Sequence, residues 1–188
     1  MPEISQARLL GGVGSIMLFL PIVPNIGFVL SIVGFILVLL ALKYISDITQ
    51  QNEIFRNALI AAIVGIVGAV AGVVVGGVGA LSLLGAGGLS PEGPDIVSFI
   101  TTVLIALVVV WVFAVVSSFF LRKSLNLVGD TLGIKMFRTA GLLLLIGAVL
   151  TIILVGGIIV LVADVLLAVA FFQIQPSSGR PPPPPPPP

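Results

Sequence analysis

Apolar residues run along this chain in blocks too long for an element of a water-soluble domain. Residues 58–84 and 96–121 carry no charge, and each exceeds the roughly 20 apolar residues that a helix needs to cross about 30 Å of hydrocarbon. Between them, Gly85–Asp95 (GAGGLSPEGPD) is dense in glycine and proline and reads as a loop. A third block, 139–174, is too long for one crossing, and Val155-Gly156-Gly157 near its middle predicts a tight turn between two shorter helices. A fourth, 9–42, is interrupted by Pro21-Ile22-Val23-Pro24-Asn25. Proline removes a backbone donor and restricts the residue before it, which predicts a helix end there. Six segments follow, at about 4–20, 25–45, 57–84, 96–121, 137–155 and 157–174. The expected fold is an all-α integral membrane protein. It is a six-helix transmembrane bundle of three helical hairpins in one domain, 1–175, with a disordered proline-rich tail, 176–188.

Composition rules out the competing classes. With its 22 glycines counted among them, apolar residues make up about 70% of the chain, against about 45–50% in a soluble domain. Eight basic and seven acidic residues are too few to cover a water-soluble surface. Soluble globular, disordered and collagenous chains are excluded. The absence of Cys and His removes disulfides, thiol chemistry and nearly all zinc sites, and the net charge of +1 makes no case for nucleic acid. Residues 1–20 read as a first membrane helix, because Glu3 precedes the single Arg8 and no small-residue cleavage site follows.

Charge then orients the segments. Six crossings place Arg8, Lys43, Arg56, Arg122, Lys123, Lys135, Arg138 and Arg180 all on one side, and only Glu92 and Asp95 on the other. By the positive-inside rule the basic side is cytoplasmic, so a cell-membrane protein with both termini in the cytoplasm is expected. If the first hairpin does not cross fully, the parity is unchanged.

Two helix starts on the basic side look alike. Ile54-Phe55-Arg56-Asn57-Ala58 leads into Gly65, and Met136-Phe137-Arg138-Thr139-Ala140 leads into Gly147 with the same spacing. Ala7 followed by Gly14 is a fainter version, so the three hairpins read as a parallel repeat. Phe119-Phe120 and Phe171-Phe172 lie near the inner ends of two returning segments. Three stretches carry a family resemblance: Ala7-Arg8-Leu9-Leu10-Gly11-Gly12-Val13-Gly14, residues 34–59 with Ile45-Ser46-Asp47 and Ile54-Phe55-Arg56-Asn57, and residues 137–173. Over most of 5–175 the chain resembles an uncharacterised, largely archaeal membrane family, domain of unknown function nine-nine-six. The resemblance implies a membrane location and a helical architecture, and brings no activity with it. The octaproline run Pro181–Pro188 lies outside the pattern.

Few residues are left to carry chemistry. Asp164 is the one ionisable side chain inside a segment, about seven residues past the glycine pair and so roughly 10 Å into the bilayer. An intramembrane carboxyl is costly and points to an ion or proton path. The plainer account is a protonated carboxyl hydrogen-bonded across a helix interface, with Ser31, Thr151, Ser117 and Ser118 as candidate neighbours. Gly68, Gly72, Gly76 and Ala80 recur every four residues on the third segment, with Ala61, Gly65 and Ala69 on a nearby stripe. This helix-packing seam lets another backbone approach, expected to be the first or fifth segment, with self-association around a pore as the sharper reading. Trp111, inside the fourth segment, is expected to serve packing. Residues 43–56 and 122–138 read as amphipathic linkers lying among the lipid headgroups. No phosphate loop, G-x-S-x-G elbow or H-E-x-x-H motif appears, and no cofactor or metal is expected. The sequence therefore points to a non-catalytic structural, assembly or accessory membrane component. Its expected partners are the lipid bilayer and a second copy or a membrane complex. The alternative is a small proton or cation channel or transporter using Asp164 and the glycine-rich third segment.

Overall fold

A computed structural model describes residues 4–18, 27–89, 96–153 and 155–175, with all-helical secondary structure. Six helices follow in order: α1 (Ile4–Leu18), α2 (Gly27–Thr49), α3 (Asn52–Leu89), α4 (Ile96–Leu132), α5 (Lys135–Leu150) and α6 (Val155–Phe172). A 3-10 turn, Thr151–Ile153, follows α5. All but α1 are long and apolar enough to cross a membrane. Their faces are hydrophobic nearly all round, the pattern of a helix that has no water-facing side.

The helices pair antiparallel with their neighbours in the chain. α1 packs on α2, α3 on α4, α5 on α6 and α4 on α5, while α6 returns to α1; α2 touches α3 more lightly. Glycines set the crossings. A Cβ at Gly14 would lie 2.7 Å from the Gly34 carbonyl oxygen, and one at Gly147 would lie 2.7 Å from Val160 Cγ2. A Cβ at Gly11 would overlap the Phe171 ring of α6. The repeated Ala-to-Gly spacing occupies matching places. Ala7, Ala58 and Ala140 are all fully buried. The glycine seven residues later meets the returning helix in each hairpin: Gly14 at Gly34, Gly65 at Ser117, Gly147 at Val160.

The core gathers at the charged end of the bundle. Leu42, Ile45, Ile54, Leu125, Val128, Phe137, Phe171 and Ile174 are sealed there in one cluster, with Phe137 and Phe171 edge to face at 5.0 Å. Two sharp turns close this end. Gln50 takes a left-handed φ of 56°, and the Gln51 N–H donates to the Ser46 carbonyl at 3.1 Å, the bond that ends a helix in a Schellman motif. Ser46 Oγ donates to the Gln51 carbonyl at 2.8 Å. Gly133, at φ 70°, turns α4 into α5, a conformation that glycine adopts without steric cost. Across the bundle, Ser124 Oγ of α4 donates to the Ile54 carbonyl of α3 at 2.8 Å.

These turns overturn three expectations. Residues 43–56 and 122–138 are not separate linkers, because α2 runs to Thr49 and α4 to Leu132. Their apolar side chains Ile45, Leu125 and Val128 are buried in the core instead of facing lipid. The tight turn expected at Val155-Gly156-Gly157 lies earlier, at Thr151–Ile153, and both glycines sit inside α6. Gly156 is a contact residue, since its Cβ would meet the Gly147 carbonyl oxygen and the backbone at Leu150 and Thr151. The loop expected from Gly85 starts later, with α3 continuing to Leu89. The proline interruption at 21–25, the rest of that loop (90–95) and the proline tail lie outside the described residues.

The hairpins differ in height. α3 and α4, at 38 and 37 residues, are each about 55 Å long. α5 stops much sooner. Its Gly141 lies against Arg122 of α4, 3.2 Å from Cβ position to Arg122 Cα. Near its other end the Trp111 indole donates to the Val149 carbonyl at 3.1 Å. The α5–α6 turn is therefore level with Trp111, and the fifteen residues of α4 from Ile96 to Val110 rise about 22 Å beyond it.

Candidate functional site

Asp164 stands midway along α6, nine residues from its first residue and so about 13 Å from the α5–α6 turn. It is 6% exposed, on the face that also buries Ala163, Leu167, Ala168 and Phe171. Among the described residues no hydrogen bond or ion pair reaches its carboxyl. Two of the hydroxyls expected near it donate elsewhere: Ser117 Oγ to the Ala61 carbonyl at 2.7 Å, and Thr151 Oγ1 to the Gly147 carbonyl at 2.7 Å.

The small-residue seam on α3 faces α4, not α1 or α5. A Cβ at Gly68 would overlap Phe113 Cβ, one at Gly72 would overlap Val110 Cγ2, and one at Gly65 would lie 3.3 Å from Ser117 Oγ. α4 is the next helix in the chain, and sequential helices pack first. Gly76 departs from this pattern, with nothing within 4 Å of its Cβ position. The side chain of Ala80 lies outside the described set, although its backbone is within α3. Gly68→Leu should therefore destabilise the fold by about 2–3 kcal/mol through overpacking against Phe113, while Gly76→Leu should stay within about 0.5 kcal/mol of the parent. Thermal unfolding in mild detergent compares them, and equal losses would reject an α4-facing seam.

Charges crowd the other end. Arg56 pairs with Glu53 and Arg138 with Asp130, each at 3.5 Å and largely exposed, so neither pair adds much stability. Two buried nitrogens that sequence reasoning passed over lack partners among the described residues: Asn57 Nδ2 on α3 and Arg122 Nε on α4. Asn57 was visible in sequence only as part of the Ile-Phe-Arg-Asn signature. Arg122 read as an ordinary boundary cation. Neither their burial nor their lack of partners has a local signal.

The fold and these groups define the class: an all-helical protein, among whose described helices five are long and apolar enough to cross a membrane. Residues 30–165 match the family described as "Protein of unknown function (DUF996)". The chain is also 30% identical over 178 residues to the uncharacterised protein MJ1644 of Methanocaldococcus jannaschii, covering 92% of this chain and 93% of that one. The chain belongs to the DUF996 family. No solved structure matches it.

Proposed function

We propose that this protein is a non-catalytic component of the cell membrane that works by helix packing, with both termini in the cytoplasm. One observation carries this reading: the helix crossings are filled. Glycine backbones at Gly14–Gly34 and Gly147–Gly156 close on each other, and Phe171, Phe113 and Val110 occupy the space beside Gly11, Gly68 and Gly72. Close backbone approach at small residues is how helices associate in lipid. The orientation rests on the described basic side chains gathering at one end, where Ile4, the α4–α5 turn and Ile174 line a common pocket. At that end Arg122 is the first charge after the apolar run of α4 and marks the hydrocarbon boundary. The α5–α6 hairpin then enters from the cytoplasmic side and turns back within the hydrocarbon. The α3–α4 hairpin crosses completely.

The second reading is a proton or cation path through Asp164, favoured by the enclosed carboxyl with no partner among the described residues. Reconstitution into vesicles separates the two. Under the packing reading, flux in proteoliposomes equals that of empty vesicles, and Asp164→Asn keeps the fold and changes nothing. Flux that vanishes in Asp164→Asn would replace it with the second. Purification in mild detergent with mass spectrometry of bound proteins then tests whether the packing surface engages a second copy or another membrane protein.

A further inference from the structure

We infer that the inner-boundary face of α4 holds a phosphate-binding site for one acidic phospholipid, built from Arg122, Lys123 and Asn126 with Phe119 beneath them. The inference rests on the membrane reading above and adds a ligand to it. These four residues line a cavity of about 290 Å³. They follow one another at i, i+3, i+4 and i+7, the spacing that stacks side chains on one helix face.

Arg122 is the anchor. Its stem is held against α5, because Gly141 offers no side chain: a Cβ there would lie 3.2 Å from Arg122 Cα and 3.5 Å from its Cγ. That close fit fixes where the guanidinium starts, and its Nε is sealed from solvent with no acceptor. With Nε turned inward and out of reach, the terminal nitrogens of the guanidinium are the ones left to meet an anion that accepts two N–H bonds at once. No carboxylate supplies it. Glu53 is engaged by Arg56 and Asp130 by Arg138, and neither Arg122 nor Lys123 has an ion-pair partner among the described residues.

The order along α4 selects a lipid over a free anion. Phe119 lies one turn toward the apolar run and is 55% exposed, suited to an acyl chain. Arg122 and Lys123 come at the boundary, where a phosphodiester sits. Asn126 lies one turn further toward water, where its amide can bond headgroup hydroxyls. Apolar, anionic and hydroxylated groups follow in the same order along a phospholipid such as phosphatidylglycerol.

The test is native mass spectrometry of the full-length protein in mild detergent, titrated with phosphatidylglycerol or phosphatidylcholine. The wild type should retain one phosphatidylglycerol in preference to phosphatidylcholine. Losing two boundary cations should weaken it about thirty-fold in R122Q/K123Q. The charge-matched control K43Q/K135Q should change it by less than about three-fold. R122K keeps the charge but loses the planar fork, and should fall between them; it also serves if the double variant does not fold. Equal losses in both double variants, no loss in R122Q/K123Q, or displacement by an equal concentration of inorganic phosphate would each overturn the site. Incorporation of the wild type into vesicles of both compositions without headgroup preference would overturn the site alone. Exclusion from both would overturn the membrane reading with it.

Discussion

Alanine at Gly156 should unfold the α5–α6 hairpin, whereas alanine at the adjacent Gly157 should be harmless. The added Cβ at position 156 would collide with the Gly147 carbonyl oxygen, the Leu150 carbonyl carbon and the Thr151 nitrogen. All three are backbone atoms, so no rotamer change relieves the clash. The helices must separate, at a cost of about 3 kcal/mol or more, the upper end of overpacking effects. At Gly157 nothing lies within 4 Å of the Cβ position, and exchanging glycine for alanine in a helix gains up to about 1 kcal/mol. Thermal unfolding of the two variants in the same detergent reads the difference directly. Similar melting temperatures would mean that α5 and α6 do not cross at Gly147 and Gly156.

The second large effect concerns depth. From Gly141, level with Arg122, to Val149, level with Trp111, α5 rises only about 12 Å. That is less than half of a hydrocarbon core about 30 Å thick. In the placement proposed above, with Arg122 at the boundary, the 3-10 turn Thr151–Ile153 would lie near mid-depth. The chain has no cysteine, so single substitutions report without background. Ile153→Cys should react with an externally added, membrane-impermeant maleimide at least about ten-fold more slowly than Glu92→Cys, because thiolate formation is suppressed in apolar surroundings. Equal labelling would mean that the bilayer thins around α5 and α6 until their turn reaches water.

Much of the fold is legible in sequence because so apolar a chain leaves few choices. A chain with so few charges must satisfy its backbone internally, and uninterrupted runs such as 96–121 then have only the helix open to them. The basic residues mark one end for the same reason: a charge in hydrocarbon is costly, so cations collect where the chain emerges. The Ala-to-Gly spacing also carries through, since an alanine and a glycine seven residues apart lie on nearly one helix face, and Ala58 with Gly65 and Ala140 with Gly147 use it alike.

Other features are invisible locally. Gly156 and Gly157 look equivalent in sequence, yet one touches backbone and the other touches nothing. Gly72 and Gly76 also differ, the first lying against the Val110 side chain and the second against nothing within 4 Å. The amphipathic stretches 43–56 and 122–138 read as surface-lying pieces because periodicity reports that an apolar face exists, not what covers it. Here other helices cover Ile45, Leu125 and Val128.

Taken alone, the amino-acid order determined the helical segments, their apolar character and the end at which charge accumulates, because each follows from transfer energies that act residue by residue. Only the tertiary structure decided which glycines are contacts, that α3 packs on α4, how far α5 and α6 rise beside them, and that Arg122 Nε and Asp164 lie enclosed. These depend on the offset between neighbouring helices. A shift of one turn, about 5.4 Å, exchanges every contact while leaving each helix's own pattern unchanged.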